Sequence, residues 1–337
     1  MKRRHRLIAT DAATGPIGRP TTVERVVLLS LAAASAAIWA VGVTVLQPLS
    51  EPAGPGASGE NNTYWARELR YGALLALILV LIVTARGDRR ATRTVCLGGL
   101  LWLGADLALD RIDQISASVP LAAGAALMAM VGCLAVWTVP GLPRPATLLT
   151  VGTVAAVAAG FVTITESPTD TEAALHLGSA AVGSLLALIA VAAGVRAAGM
   201  SCGARRPTML SAGLLVALTP ALLRYLSPQP SGWRVLGAFA ITALLVGIMS
   251  ALAAGEGGYP VGVAVLSAVL LPVMWFPLVL ASVILHLGAP FTMLAANPPV
   301  NAADEDVLLV LLAIPIGLIL GRVIRAFVSL RPADDPV

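Results

Sequence analysis

Apolar residues in this chain do not alternate with polar ones over short distances. They collect into long runs, most of them about 17–26 residues. A helix of that length, rising about 1.5 Å per residue, spans the roughly 30 Å hydrocarbon core of a bilayer. Of 337 residues 58% are hydrophobic and 12% charged, with a mean hydropathy of +0.87. A soluble domain carries about twice that share of charge, so an ordinary water-facing surface cannot be built here. A soluble enzyme, a nucleic-acid binder and a secreted domain are thereby excluded. The expected class is an all-α polytopic membrane protein.

Ten spans can be drawn, at about 26–47, 71–85, 94–110, 117–138, 146–165, 174–195, 208–226, 233–254, 261–286 and 307–322. The second and third are short and have room to extend into their polar flanks. Residues 1–25 form a basic tail, 26–322 the transmembrane domain, and 323–337 a second polar tail. The first run is longer than a signal-peptide core and follows about 25 residues of polar chain, so it reads as a retained span.

Arginine placement sets the expected orientation. With both termini cytoplasmic, 17 of the 22 basic residues fall on the inner side. Only Arg67, Arg70, Arg111, Arg224 and Arg234 fall outside. That split is the positive-inside pattern, and adding or dropping one helix would break it. Acids lean the other way, 11 of 18 lying in outer segments. The net charge of +4 is therefore a topology signal and no sign of nucleic-acid binding. A single lysine against 21 arginines, with abundant Ala, Gly, Val and Leu, is the composition of a GC-rich bacterial genome, so the expected location is a bacterial plasma membrane. The bilayer is the one partner implied; protein partners are not indicated.

Charge inside hydrocarbon is unfavourable and marks candidate sites. The third span, LWLGADLALDRID, carries Asp106, Asp110 and Asp113 at i, i+4 and i+7, on one helical face. Counted from Thr94, Asp106 lies roughly 18 Å along, beyond the midplane, with Asp110 near the outer boundary. Such a stripe could carry protons, bind a cationic group, or act as acid and base. Arg224 in the seventh span falls at the depth of Asp110 on the same counting, so an Asp110–Arg224 pair is expected. Pro220 is placed to kink that span. Glu68 lies between Arg67 and Arg70 just before the second span, beside Tyr64, Trp65 and Tyr71, which read as an outer aromatic belt. Pro272 and Pro277 in the ninth span, and Pro315 in the tenth, are candidate helix breaks of the kind that line transport sites.

His176 and His286 fall at outer span ends without any fixed-spacing ligand motif, so no metal is expected. No nucleotide-binding fingerprint is present and no cofactor is implied. Cys96, Cys133 and Cys202 form no CxxC and suggest no disulfide framework. Three functions remain open. One is a small-molecule transporter or permease with an outward-accessible polar site at Asp106 and Asp110. The second is a membrane enzyme acting on a lipid-linked substrate at the outer leaflet, where Glu68, Asp110 and Arg224 would converge, the acids serving as general acid and base and Arg224, Arg67 or Arg70 holding phosphate. The third is a non-catalytic membrane subunit.

Overall fold

The computed structural model describes residues 21–50, 62–111, 117–139, 141–165, 173–198, 206–228, 231–254, 260–296 and 308–329. Asp113, Cys202, the outer acids from Glu166 to Glu172, and Asp304 to Asp306 lie outside the described residues. No strand occurs among those described. The helices are α1 (Thr22–Val41), α2 (Gln47–Ser50), α3 (Asn62–Thr84), α4 (Arg89–Leu109), α5 (Ser118–Thr138), α6 (Pro145–Ile164) and α7 (Ala173–Ala197). They continue as α8 (Arg206–Val216), α9 (Thr219–Leu226), α10 (Gly232–Ala254), α11 (Pro260–Leu285), α12 (Ala289–Leu294) and α13 (Leu309–Ser329).

Nine helical segments among the described residues are long and apolar enough to cross a membrane. The helix α3 has 23 residues, but Arg67, Glu68 and Arg70 all lie within its first nine. It fills the place of the second expected span, which was drawn from residue 71 and in fact begins nine residues earlier. The fold is an all-α membrane bundle.

Helix α6 is the centre. It packs against α7, α13, α10 and α3, and 89% of its most apolar window is buried. Small residues permit this. A Cβ on Gly317 of α13 would stand 2.5 Å from Val154 Cα, and one on Gly160 would stand 2.8 Å from the Ala238 carbonyl oxygen of α10. Without a hydrophobic drive between helices in lipid, such close backbone approach is what holds membrane helices together. Helices α4, α5 and α11 lie at the periphery, with 17%, 17% and 11% of their windows buried.

Polar contacts define the two ends of the bundle. At one end Arg196, near the C-terminus of α7, pairs with Glu24 in the first turn of α1. It also donates to the Val83 and Thr84 carbonyls that close α3. Next to them, Arg86 and Gly87 take positive φ in the α3–α4 turn. Asp88 caps α4 there, accepting from the backbone N–H of Ala91 and Arg90. Those two donors, Ala91 first, hold the Asp88 carboxyl below its usual range.

The prolines behave differently from expectation in two helices. Pro272 and Pro277 sit inside an uninterrupted α11, and Pro315 inside an uninterrupted α13. Neighbouring turns carry a membrane helix past a missing N–H, so these prolines open no break. The seventh span does break: α8 stops at Val216 and α9 starts at Thr219, one residue before Pro220. The Val216 carbonyl, which Pro220 cannot satisfy, accepts a 2.6 Å hydrogen bond from Thr219 Oγ1.

Candidate functional site: a buried chain of alternating charges

The opposite end of the bundle brings together the C-terminal parts of α1 and α4 and the N-terminal part of α3. Because α4 starts at Arg89 and not at Thr94, Asp106 lies roughly 26 Å along the helix, only about 5 Å from its end. Asp110 follows as the C-cap. Across from them, three residues apart on α3, are Arg67 and Arg70, both fully buried.

These four charges alternate in a chain. Arg67 Nε lies 2.7 Å from Asp110 Oδ2. The other oxygen of Asp110 lies 2.6 Å from Arg70 Nη2. Arg70 continues to Asp106, with Nε 3.0 Å from Oδ1 and Nη2 3.1 Å from Oδ2. Helix α1 and the start of α2 close the chain at its inner end. Trp39 Nε1 donates to Asp106 Oδ1 at 2.7 Å, and Arg70 Nη1 donates to Gln47 Oε1 at 2.5 Å. Trp39 is itself held edge-on by Trp102 of α4, with ring centroids 5.3 Å apart.

A local feature of α1 makes these contacts possible. Residues Gly42–Leu46 form a π-helical turn, which holds one residue more than an α turn. Eight residues separate Trp39 from Gln47, about 80° of rotation in a regular α-helix; the extra residue removes most of that offset. Both side chains thus face α3 and α4. The stem of Arg70 lies against Gly42, where a Cβ would come 2.5 Å from Arg70 Cγ. Only glycine leaves room for it.

Other members of α3 complete the surroundings. Glu68, Trp65 and Tyr71 are fully or almost fully buried. Tyr71 stacks edge-on against Phe291 of α12, centroids 6.2 Å apart, and its hydroxyl has no hydrogen-bond partner among the described residues. Arg111, just beyond Asp110, donates to the Leu294 carbonyl at the end of α12. The aromatic belt expected at Trp65 and Tyr71 is therefore not formed: α3 starts early enough to carry both into the bundle.

The expected Asp110–Arg224 pair does not form either. Arg67 and Arg70 take both oxygens of Asp110. Arg224, buried in α9, donates to the Thr165 carbonyl at 3.1 Å and lies 2.9 Å from His176 Nδ1. Arg234 of α10 joins it, donating to the Ile164 and Thr165 carbonyls at 3.2 and 3.4 Å. Together they clamp the C-terminus of α6, whose last carbonyls have no intrahelical donors. Equal depth along two helices says nothing about which way each faces, and that is why the pairing was misassigned. The set of Glu68, Asp110 and Arg224 required by an outer-leaflet enzyme is accordingly split between two clusters. His286 is exposed beyond α11. No group of three potential metal ligands occurs among the described residues.

Sequence reasoning singled out Asp106 and Asp110, and gave Arg67 and Arg70 a place beside Glu68 and, in the enzyme reading, on a phosphate, but not against the aspartates. Trp39 and Gln47 were missed. The available signal was a second span drawn from Asn62, which puts both arginines at the level of the aspartates. No family model, curated protein or solved structure matches the chain.

Proposed function

We propose that this chain is a small-molecule permease of a bacterial plasma membrane, with the Arg67–Asp110–Arg70–Asp106 chain as its polar working site on the outer side. One observation carries the reading: four paired charges are buried at one end of the three helices that meet there. Buried ion pairs are poor stabilisers, since well-packed apolar residues do as well or better, and in membrane helices ionisable groups mark pathways. The π-helical turn at Gly42–Leu46, a type of irregularity frequent at functional sites, lies against the same chain. Both termini are cytoplasmic in this reading, following the arginine distribution.

The test is transport by the purified protein in proteoliposomes against a defined panel of cationic, anionic and zwitterionic metabolites, read by mass spectrometry of the lumen. The wild-type chain is expected to accumulate at least one panel member, and Asp106→Asn to slow that uptake at least tenfold. A wild-type protein that moves no solute faster than empty liposomes overturns the reading.

A further inference from the structure

A solute reaches the four charges only if part of the protein moves. The side chains of Arg67, Arg70 and Asp106 have no exposed surface, and that of Asp110 has 2%. We infer that α12 is the outer gate of this site, a step that rests on the permease reading. Among the described residues it is the short helix that does not continue a span: six residues between the long helices α11 and α13. Only three non-glycine residues among those described have positive φ, and two of them flank α12. His286 precedes it at φ 48 and Ala296 follows it at φ 63, both exposed. A β-carbon makes this left-handed region unfavourable, so rotation back to ordinary values at either point relieves a steric load. At the first of them Leu287 N–H donates to the Ser282 carbonyl at 3.2 Å, which ends α11 and redirects the chain. The segment is thus set between two points at which the backbone can turn.

What α12 covers ties it to the charges. Gly288, Thr292 and Ala295 form its buried face, with Phe291 partly buried beside them, while Leu287, Met293 and Leu294 are exposed. It bridges the two helices that carry the four charges. Toward α4, Arg111 donates to the Leu294 carbonyl at 2.8 Å from the position next to Asp110. Toward α3, Phe291 meets Tyr71. Tyr71 lies one turn after Arg67 and within electrostatic reach of Asp106, Arg67, Arg70 and Asp110. It is 1% exposed, and its hydroxyl has no hydrogen-bond partner among the described residues. A hydroxyl buried in that way is unfavourable and calls for an explanation. A gate supplies one: the group meets water or solute whenever α12 lifts. Lifting α12 uncovers Tyr71 and the turn that carries Arg67, and it breaks no bridge among the four charges.

The experiment uses full-length protein in nanodiscs, with Cys96, Cys133 and Cys202 replaced by serine. Arg111→Cys and Leu294→Cys are joined by a short reducible bis-methanethiosulfonate linker, which holds α12 against α4. Hydroxyl-radical footprinting, read by mass spectrometry, reports the solvent access of the native Tyr71. Trp65 is the control, fully buried and about 120° around α3 from Tyr71. Linking is expected to slow Tyr71 oxidation at least threefold, and reduction of the linker to restore it. Without the cysteine pair, Arg111→Gln and Phe291→Ala should each speed it at least threefold, with Trp65 unchanged throughout. Should either of these variants fail to fold, the linked and reduced states still decide. Tyr71 oxidation that ignores the linker, or that changes only together with Trp65, overturns the inference. In proteoliposomes the linked protein should take up solute at least tenfold more slowly and recover on reduction; undiminished uptake by fully linked protein also overturns the gate. Protein that moves no solute in any state removes the permease reading alone, and the footprinting still decides whether α12 opens.

Discussion

Arg70 concentrates the energetics of the site in one side chain. It is fully buried, and its guanidinium faces two carboxylates and the Gln47 carbonyl oxygen. Removing the arginine while leaving the aspartates strands at least one carboxylate in a low-dielectric setting, where breaking a buried pair typically loses about 3–5 kcal/mol. Replacing both partners with apolar residues of similar volume removes the penalty together with the charges. Arg70→Met alone is therefore expected to destabilise the protein by about 3–5 kcal/mol in reversible unfolding from mixed micelles. The double variant Arg70→Met with Asp106→Leu is expected to recover most of that loss, yet to remain inactive in uptake. Recovery of stability without uptake separates a working site from a structural staple; recovery of both would reduce the chain to packing. The residues that carry this argument were only half legible in the sequence. Asp106 stands out because it is a lone charge in an apolar run, whereas Arg67 and Arg70 sit in a stretch polar enough to pass for a loop.

At the scale of elements, the π-helical turn explains a register that a regular helix would not give. Trp39 reaches Asp106 and Gln47 reaches Arg70 because the turn absorbs one residue between them. Val45, 39% exposed, is the member of the turn that faces outward. Deleting it converts the turn to α-helix and leaves Trp39 and Gln47 seven residues apart, within about 20° of each other. That deletion is expected to keep the network, with a melting temperature within a few degrees of wild type in nanodiscs. Deleting Ala36, in the regular part of α1, instead rotates Glu24 by about 100° away from Arg196 and should lower the melting temperature far more. Equal losses from the two deletions would show that the turn does not set the register. Such a turn leaves no mark in composition, since GVTVL is an ordinary apolar stretch. The break before Pro220 was legible because proline removes a specific donor; the same logic failed for Pro272 and Pro277, where the surrounding helix tolerates the loss.

The whole molecule is organised by its two ends, and the structure sharpens what the arginine distribution implies. Apolar runs were readable because hydrocarbon demands an unbroken stretch about 30 Å long, whereas helix neighbours were not, since their azimuth depends on packing around α6. Of the five arginines at the Asp106 end, Arg67, Arg70, Arg224 and Arg234 are almost completely buried. Each is taken up by carboxylates or by helix-terminal carbonyls, which leaves Arg111 as the one exposed arginine of that group. The other end presents Arg89, Arg90, Arg93, Arg322 and Arg325 to solvent. Among the described residues, solvent-exposed positive charge is thus more one-sided than the 17-to-5 count, and the proposed reading takes the Arg89 end as cytoplasmic. Labelling tests this in a variant with Cys96, Cys133 and Cys202 replaced by serine. Gly232→Cys marks the Asp106 end, at an exposed position where a Cβ meets nothing within 4 Å. Arg89→Cys marks the other. A membrane-impermeant maleimide should modify Gly232→Cys in intact cells and Arg89→Cys only after permeabilisation. The reverse pattern would place the charged site on the cytoplasmic side, and the solute would then have to be loaded from within.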